Sequence, residues 1–141
     1  MNGLNHNALT RSAVPIPPCE RSLQTVEAQP YFSVSEASLV LEGAVFDRNN
    51  NLLFVDAATG RVFKLTPERQ LSIVLKENTF GASGLAVHKD GRIFIASVGD
   101  MQRGSVRAIE PDGTREQMIV DPEGGFLASD LVFDNQGGFY F

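Results

Sequence analysis

One phrase occurs three times along this chain. Leu41 to Asp56 carries an apolar run, Ala44-Val45-Phe46, a polar turn over Asp47-Arg48-Asn49-Asn50-Asn51, and a second apolar run, Leu52-Leu53-Phe54-Val55. Ser83 to Ser97 repeats it around His88-Lys89-Asp90-Gly91, and Ser129 to Phe141 opens it again around Asp134-Asn135-Gln136-Gly137. Gly43 and Gly84 stand 41 residues apart, and Gly84 and Asp130 stand 46 apart, with no insertion inside any copy. Two apolar runs joined by a turn of Asn, Asp and Gly make a β-hairpin. A hairpin that recurs every roughly 40 to 50 residues, with further short strands between, is the signature of a β-propeller blade. The expected fold is therefore all-β, a β-propeller.

Residues 43–47, 52–56, 61–66 and 71–75 read as the four strands of a first blade (about 43–75), with Pro67-Glu68-Arg69 turning between the last two. Residues 84–88, 92–97, 105–110 and 116–120 read as a second (about 84–120), with Pro111-Asp112-Gly113 in the same turn. A third begins with 130–134 and 138–141 and is cut off. The first strand of each copy is apolar on both faces, which predicts a buried inner strand, and the fourth strands face outward. About two and a half blades cannot close the ring by which propellers hide their sheet edges, so the expectation is the N-terminal part of a longer protein. Residues 1–22 hold Pro15, Pro17 and Pro18 within four positions, which blocks helix and sheet pairing alike and predicts an extended arm. The partial propeller then occupies 23–141, with Leu23, Val26, Tyr31, Phe32 and Val34 supplying an outer strand or a latch against the first blade.

Composition narrows the partners. A net charge of −5 and a pI near 4.9 argue against a nucleic-acid surface, which carries clustered Lys and Arg. No apolar run approaches the roughly 20 residues of a membrane helix, so no membrane partner is expected. Cys19 is the only cysteine and cannot form an internal disulfide, and the N-terminus lacks a basic-then-apolar secretory pattern; a cytoplasmic location follows as the default. Cys19 has no histidine near it in sequence to lower its pKa and reads as an inert thiol. There is no Gly-x-Ser-x-Gly, no His-Glu-x-x-His and no phosphate-binding glycine loop. His6 lies in the arm, and His88, at the place of Asp47 and Asp134, reads as a surface residue of a turn.

Antiparallel strands put the start of the first, the end of the second, the start of the third and the end of the fourth at one end of each blade. Glu42, Ser83 and Ser129 fall there beside the axis, joined by Asp56, Asp100, Arg103, Gly104 and Asp121. Oxygen-bearing side chains converging on one axial point suit a hard cation such as Ca²⁺ or Mg²⁺. The same pattern also fits a solvated glutamate at a channel rim with two turn serines.

The blocks Leu41-Glu42-Gly43 with Phe46-Asp47-Arg48, His88-Lys89-Asp90-Gly91-Arg92-Ile93-Phe94, and Leu131-Val132-Phe133-Asp134 with Gly137-Gly138-Phe139-Tyr140-Phe141 closely resemble the senescence marker protein, gluconolactonase and luciferin-regenerating enzyme family, in order and nearly in spacing. The resemblance implies a six-bladed propeller and a divalent-metal-dependent lactonase, usually using Ca²⁺, acting on a small-molecule lactone. It implies that Glu42 binds the axial metal and that Ser129, ahead of Asp130, fills an inner-strand position usually held by Asn or Asp. It further implies a second calcium between two loops, around Gly104, Asp121, Gly124 and Phe126, of which only Asp121 is charged. The remaining metal ligands, an asparagine and an aspartate serving as acid and base, are expected beyond Phe141, so these residues alone are expected to be inactive. The competing reading is a non-catalytic interaction propeller in which Glu42 is incidental; a gene fragment with no function of its own is a third.

Overall fold

The computed structural model describes residues 29–76, 81–122 and 125–141. The chain divides into two units, Met1–Tyr31 and Phe32–Phe141, and every element below belongs to the second. The arm expected over 1–22, with His6 and Cys19, lies outside the described residues.

The hairpin pattern builds β1 (Leu41–Phe46), β2 (Leu52–Asp56), β3 (Arg61–Leu65), β4 (Leu71–Leu75), β5 (Ala82–Val87), β6 (Ile93–Ser97), β7 (Ser105–Ile109), β8 (Gln117–Val120), β9 (Val132–Phe133) and β10 (Phe139–Tyr140). They form two four-stranded antiparallel meanders, β1-β2-β3-β4 and β5-β6-β7-β8, and a two-stranded hairpin, β9-β10. This is a partial β-propeller, with no helix among the described residues and no closed barrel.

The turns explain the hairpins. Asp47 Oδ1 accepts the N–H groups of Asn49 and Asn51 at 2.8 Å each, while Asn50 takes φ 60°, a left-handed conformation that Asn tolerates well. In the third copy Asp134 Oδ1 accepts the N–H groups of Gln136 and Gly138 at 2.8 Å, the same device.

The first two inner strands begin two residues earlier than the sequence predicts, and the third begins two residues later. Pairing runs on past the glycine, to Leu41↔Asp56 in one sheet and Ala82↔Ser97 in the next, because a bulge between Glu42 and Val45, and another between Ala82 and Gly84, absorbs the irregularity. A glycine that reads as the start of a strand in the sequence acts as a bulge in the fold. The third copy pairs over a shorter stretch than predicted, β9 and β10 being two residues each. No strand forms over 29–40; Val34 instead packs on the buried Phe54, Phe63 and Leu65, whose two rings stack at 5.3 Å.

The sheets stack face to face. β5 packs on β1 and β2, burying Leu53, Val55, Ile93 and Ile95 in one core. Phe94, Ala96, Val106 and Leu131 form the next, with Phe133 and Phe139 against them. The expectation that every inner strand is buried holds for β5 and fails for β1, which is exposed or half-buried along its length, and for β9, whose Val132 is exposed. The reason is position: β5 has a sheet on each side, whereas no described strand covers the other face of β1.

Candidate functional site

Two glycines let the inner strands approach at their starts. A Cβ on Gly43 would lie 2.5 Å from the Ser83 carbonyl oxygen, and one on Gly84 would lie 2.6 Å from Asp130 Cα and 2.9 Å from the Ser129 carbonyl oxygen. Each repeat therefore rests its glycine on the equivalent backbone of the next. Across the first of these contacts the Ser83 hydroxyl donates to Glu42 Oε2 at 3.1 Å. Ser83 is buried and Glu42 exposed, so a carboxylate is held at the junction with one side open to water. Ser129 is exposed and joins the series through its backbone, not through its hydroxyl. Asp130, which takes the place of the glycine in the third copy, turns Oδ1 to the Leu131 N–H at 2.8 Å.

Carboxylate and hydroxyl oxygens are the right kind of donor for a hard cation, which takes about 6 to 8 of them in the case of Ca²⁺. Their number is too small. Among the described residues no three acidic, histidine or cysteine side chains converge on a point. The described residues thus do not make a cation site by themselves.

Of the four residues expected at the second cation, two are brought together. The Gly104 N–H donates to the Phe126 carbonyl at 2.8 Å, and a Cβ on Gly104 would lie 2.7 Å from Ala128 N, so this loop crossing requires glycine. Asp121 is exposed after β8 and makes no hydrogen bond or ion pair among the described residues. Gly124 lies outside them.

The other acids at this end serve their own loops. Asp56 is fully buried; Oδ1 accepts the Val40 and Ala58 N–H groups at 3.1 and 3.3 Å, and Oδ2 accepts the Thr59 hydroxyl at 2.7 Å. Burial pushes its pKa up, but these bonds and the Arg61 charge outweigh that and leave it below the usual carboxylate value. Asp100 accepts the N–H groups of Gln102 and Arg103 at 3.1 Å each and pairs with the Arg103 guanidinium at 3.3 Å. A buried, fully engaged aspartate is a structural group, and sequence position alone could not separate it from a ligand.

His88 is not the surface residue expected. Its ring is 4.9 Å from that of Phe133 and 5.7 Å from that of Phe94, and Nδ1 lies 2.8 Å from Asp90 Oδ1. Phe133 arrives from a sheet more than forty residues on in the chain, a contact that the local turn pattern does not reveal. The Arg92 N–H and the His88 bond keep Asp90 ionised well below the ordinary carboxylate range. The described residues contain no helix long and apolar enough to cross a membrane.

Comparison with known proteins bears on this geometry. No family model matches the chain. Curated relatives do: Lactonase drp35 of Staphylococcus saprophyticus is 37% identical over 133 residues, 92% of this chain and 41% of the relative. Lactonase drp35 of Staphylococcus haemolyticus is 36% identical over 141 residues, 98% of this chain and 43% of the relative. That of Staphylococcus aureus is 35% identical over the same extent. The chain spans about two fifths of the length of these relatives. With its tandem meanders and its paired inner-strand starts, the chain is a homologue of the Lactonase drp35 proteins.

Proposed function

We propose that this chain is part of a lactonase, a propeller that opens the ring of a small-molecule lactone with the help of Ca²⁺ or another divalent cation. The observation that carries the reading is the bond between Ser83 and Glu42, which fixes an open-sided carboxylate where equivalent positions of two repeats meet. Similarity to proteins named lactonase over 92–98% of the chain supports it. Glu42 supplies an anionic oxygen to the cation and Ser129 a neutral one. The remaining oxygens, and the aspartate that moves protons, come from residues of the whole protein beyond Phe141, so these 141 residues alone open no lactone. A second cation between the loops would draw on Asp121 and on backbone carbonyls around Gly104, Gly124 and Phe126. The same reading assigns a cytoplasmic location, on the single cysteine, and no nucleic-acid partner.

The test is made on the protein at the full length of its relatives. Thermal melting with and without Ca²⁺ should show a rise that Glu42→Gln abolishes, and a pH-stat assay with a simple aliphatic lactone should show acid release that follows the same dependence. No calcium response together with no acid release would favour the non-catalytic interaction propeller.

A further inference from the structure

At the end of the blades away from Glu42, the two junctions between sheets are packed differently. Between the second and third sheets the space is filled by rings: Phe94 and Phe133 lie 4.9 Å apart, with Phe139 at 5.8 Å from Phe94 and His88 at 4.9 Å from Phe133. The register of the repeats puts Leu53 where Phe94 stands, Val87 where Phe133 stands, and Ile93 where Phe139 stands. Three aliphatic side chains replace three phenylalanines, and Asp47 replaces His88. A half-open cleft of about 270 Å³ lies between the first and second sheets.

The cleft is charged on one side. Lys64 pairs with Leu53 across β2 and β3, and its counterpart in the second sheet is the fully buried Ala108. The place that is a methyl group at the packed junction is thus an ammonium at the open one. Lys64 Nζ makes no hydrogen bond to a described residue and acts on Asp47 through its charge alone. Asp47 has little capacity left for a ligand, since its carboxylate accepts two N–H groups and the Asn51 amide, all at 2.8 Å. Arg48 adds a second positive charge at the rim, held there because Nη2 donates to the Lys89 carbonyl across the junction. Leu53 and Ile93 are buried beneath the cleft, and Val87 and Pro111 supply an apolar wall at the surface. An apolar wall with a few convergent polar groups is the composition of a small-molecule site.

From this juxtaposition, aliphatic side chains where the next junction has rings and, where it has alanine, a lysine that faces Asp47 by charge but hydrogen-bonds to no described residue, we infer that the first junction binds a small organic carboxylate with a short apolar body. The carboxylate meets Lys64, and the hydrocarbon part lies on Val87 and Pro111. This site is separate from the Glu42 end, and the inference stands without the lactonase reading.

Sodium hexanoate is the probe and 1-hexanol its uncharged control, titrated against the protein at the full length of its relatives by amide chemical shifts. Hexanoate should bind saturably in the millimolar range with shifts at Asn51, Val87 and Gly91. Lys64→Met keeps the stem and removes the charge, and should weaken binding about tenfold, the worth of one charge-assisted hydrogen bond. Leu53→Phe fills the space as Phe94 does at the next junction, and should abolish binding. Equal affinity in Lys64→Met and the parent chain, hexanol binding as tightly as hexanoate, or no saturable hexanoate binding overturns the proposal. Lys64 is half-exposed on a strand, so Lys64→Met folds and discriminates between these outcomes even where Leu53→Phe does not fold.

Discussion

Ser83 donates its hydroxyl hydrogen to Glu42 across 3.1 Å, and the two residues hold the same place in consecutive repeats. The bond ties the start of β1 to the start of β5. Ser83→Ala removes an orienting donor from an exposed carboxylate, so its cost to folding should be under about 1 kcal/mol. In the full-length protein the expected result is a several-fold loss of Ca²⁺ affinity by calorimetric titration, with a melting temperature in the absence of metal close to that of the parent. Unchanged affinity would separate Ser83 from the site.

The glycine contacts set a steeper penalty. Gly84→Ala puts a methyl group 2.6 Å from Asp130 Cα and 2.9 Å from the Ser129 carbonyl oxygen, backbone atoms that move only with their strand. Loss of about 2 to 4 kcal/mol is expected from such overpacking, read as a lower urea midpoint. Gly91→Ala should be milder, because only Pro111 Cγ at 4.0 Å faces the added atom and the cost is that of φ +101°.

Asp56 links stability to pH. Its folded pKa lies below the unfolded value of 3.8, so the stability it contributes is complete above about pH 5 and is lost as pH falls through 3.8 and on to the lower folded value. Asp56→Ala leaves the Val40 and Ala58 N–H groups and the Thr59 hydroxyl without their partner in a partly buried loop, at a cost of about 1 to 2 kcal/mol. Denaturation curves at pH 7 and pH 3 should show the parent and the variant further apart at pH 7. An equal separation at both would contradict the assigned shift.

The aromatic junction should be the costlier of the two to empty. Phe94 is buried and its ring meets those of His88, Phe133 and Phe139. Phe94→Ala should cost about 3 to 5 kcal/mol, against about 0.5 to 1.5 kcal/mol for Ile93→Val at the open junction, both by chemical denaturation.

Period and turn chemistry carried most of the fold. Asp47 and Asp134 sit in turns whose residues require a capping carboxylate, and Leu52–Asp56 and Leu71–Leu75 fall where the alternation puts them. The errors lie where contacts cross between repeats. Gly43 reads as the start of a strand, yet its function is to receive the Ser83 carbonyl, a residue forty positions away. His88 resembled its turn neighbours and is held by Phe133 from the third copy. At the site, Glu42 stood out because a carboxylate interrupts an apolar strand, whereas its bond to Ser83 depends on how two sheets stack. Asp56 falls at the same end by strand order and is a structural group, since nothing in its sequence position tells of the Val40 and Ala58 N–H groups that it satisfies.

Each sheet touches only the sheets on either side of it, so cohesion is shared between nearest neighbours and not spread through a common centre. The middle sheet, flanked twice, should exchange its amide hydrogens most slowly, along β6 and β7, where every residue is buried. The outlying β1, and the two-residue β9 and β10, should exchange fastest, giving a gradient of opening free energies along a single polypeptide.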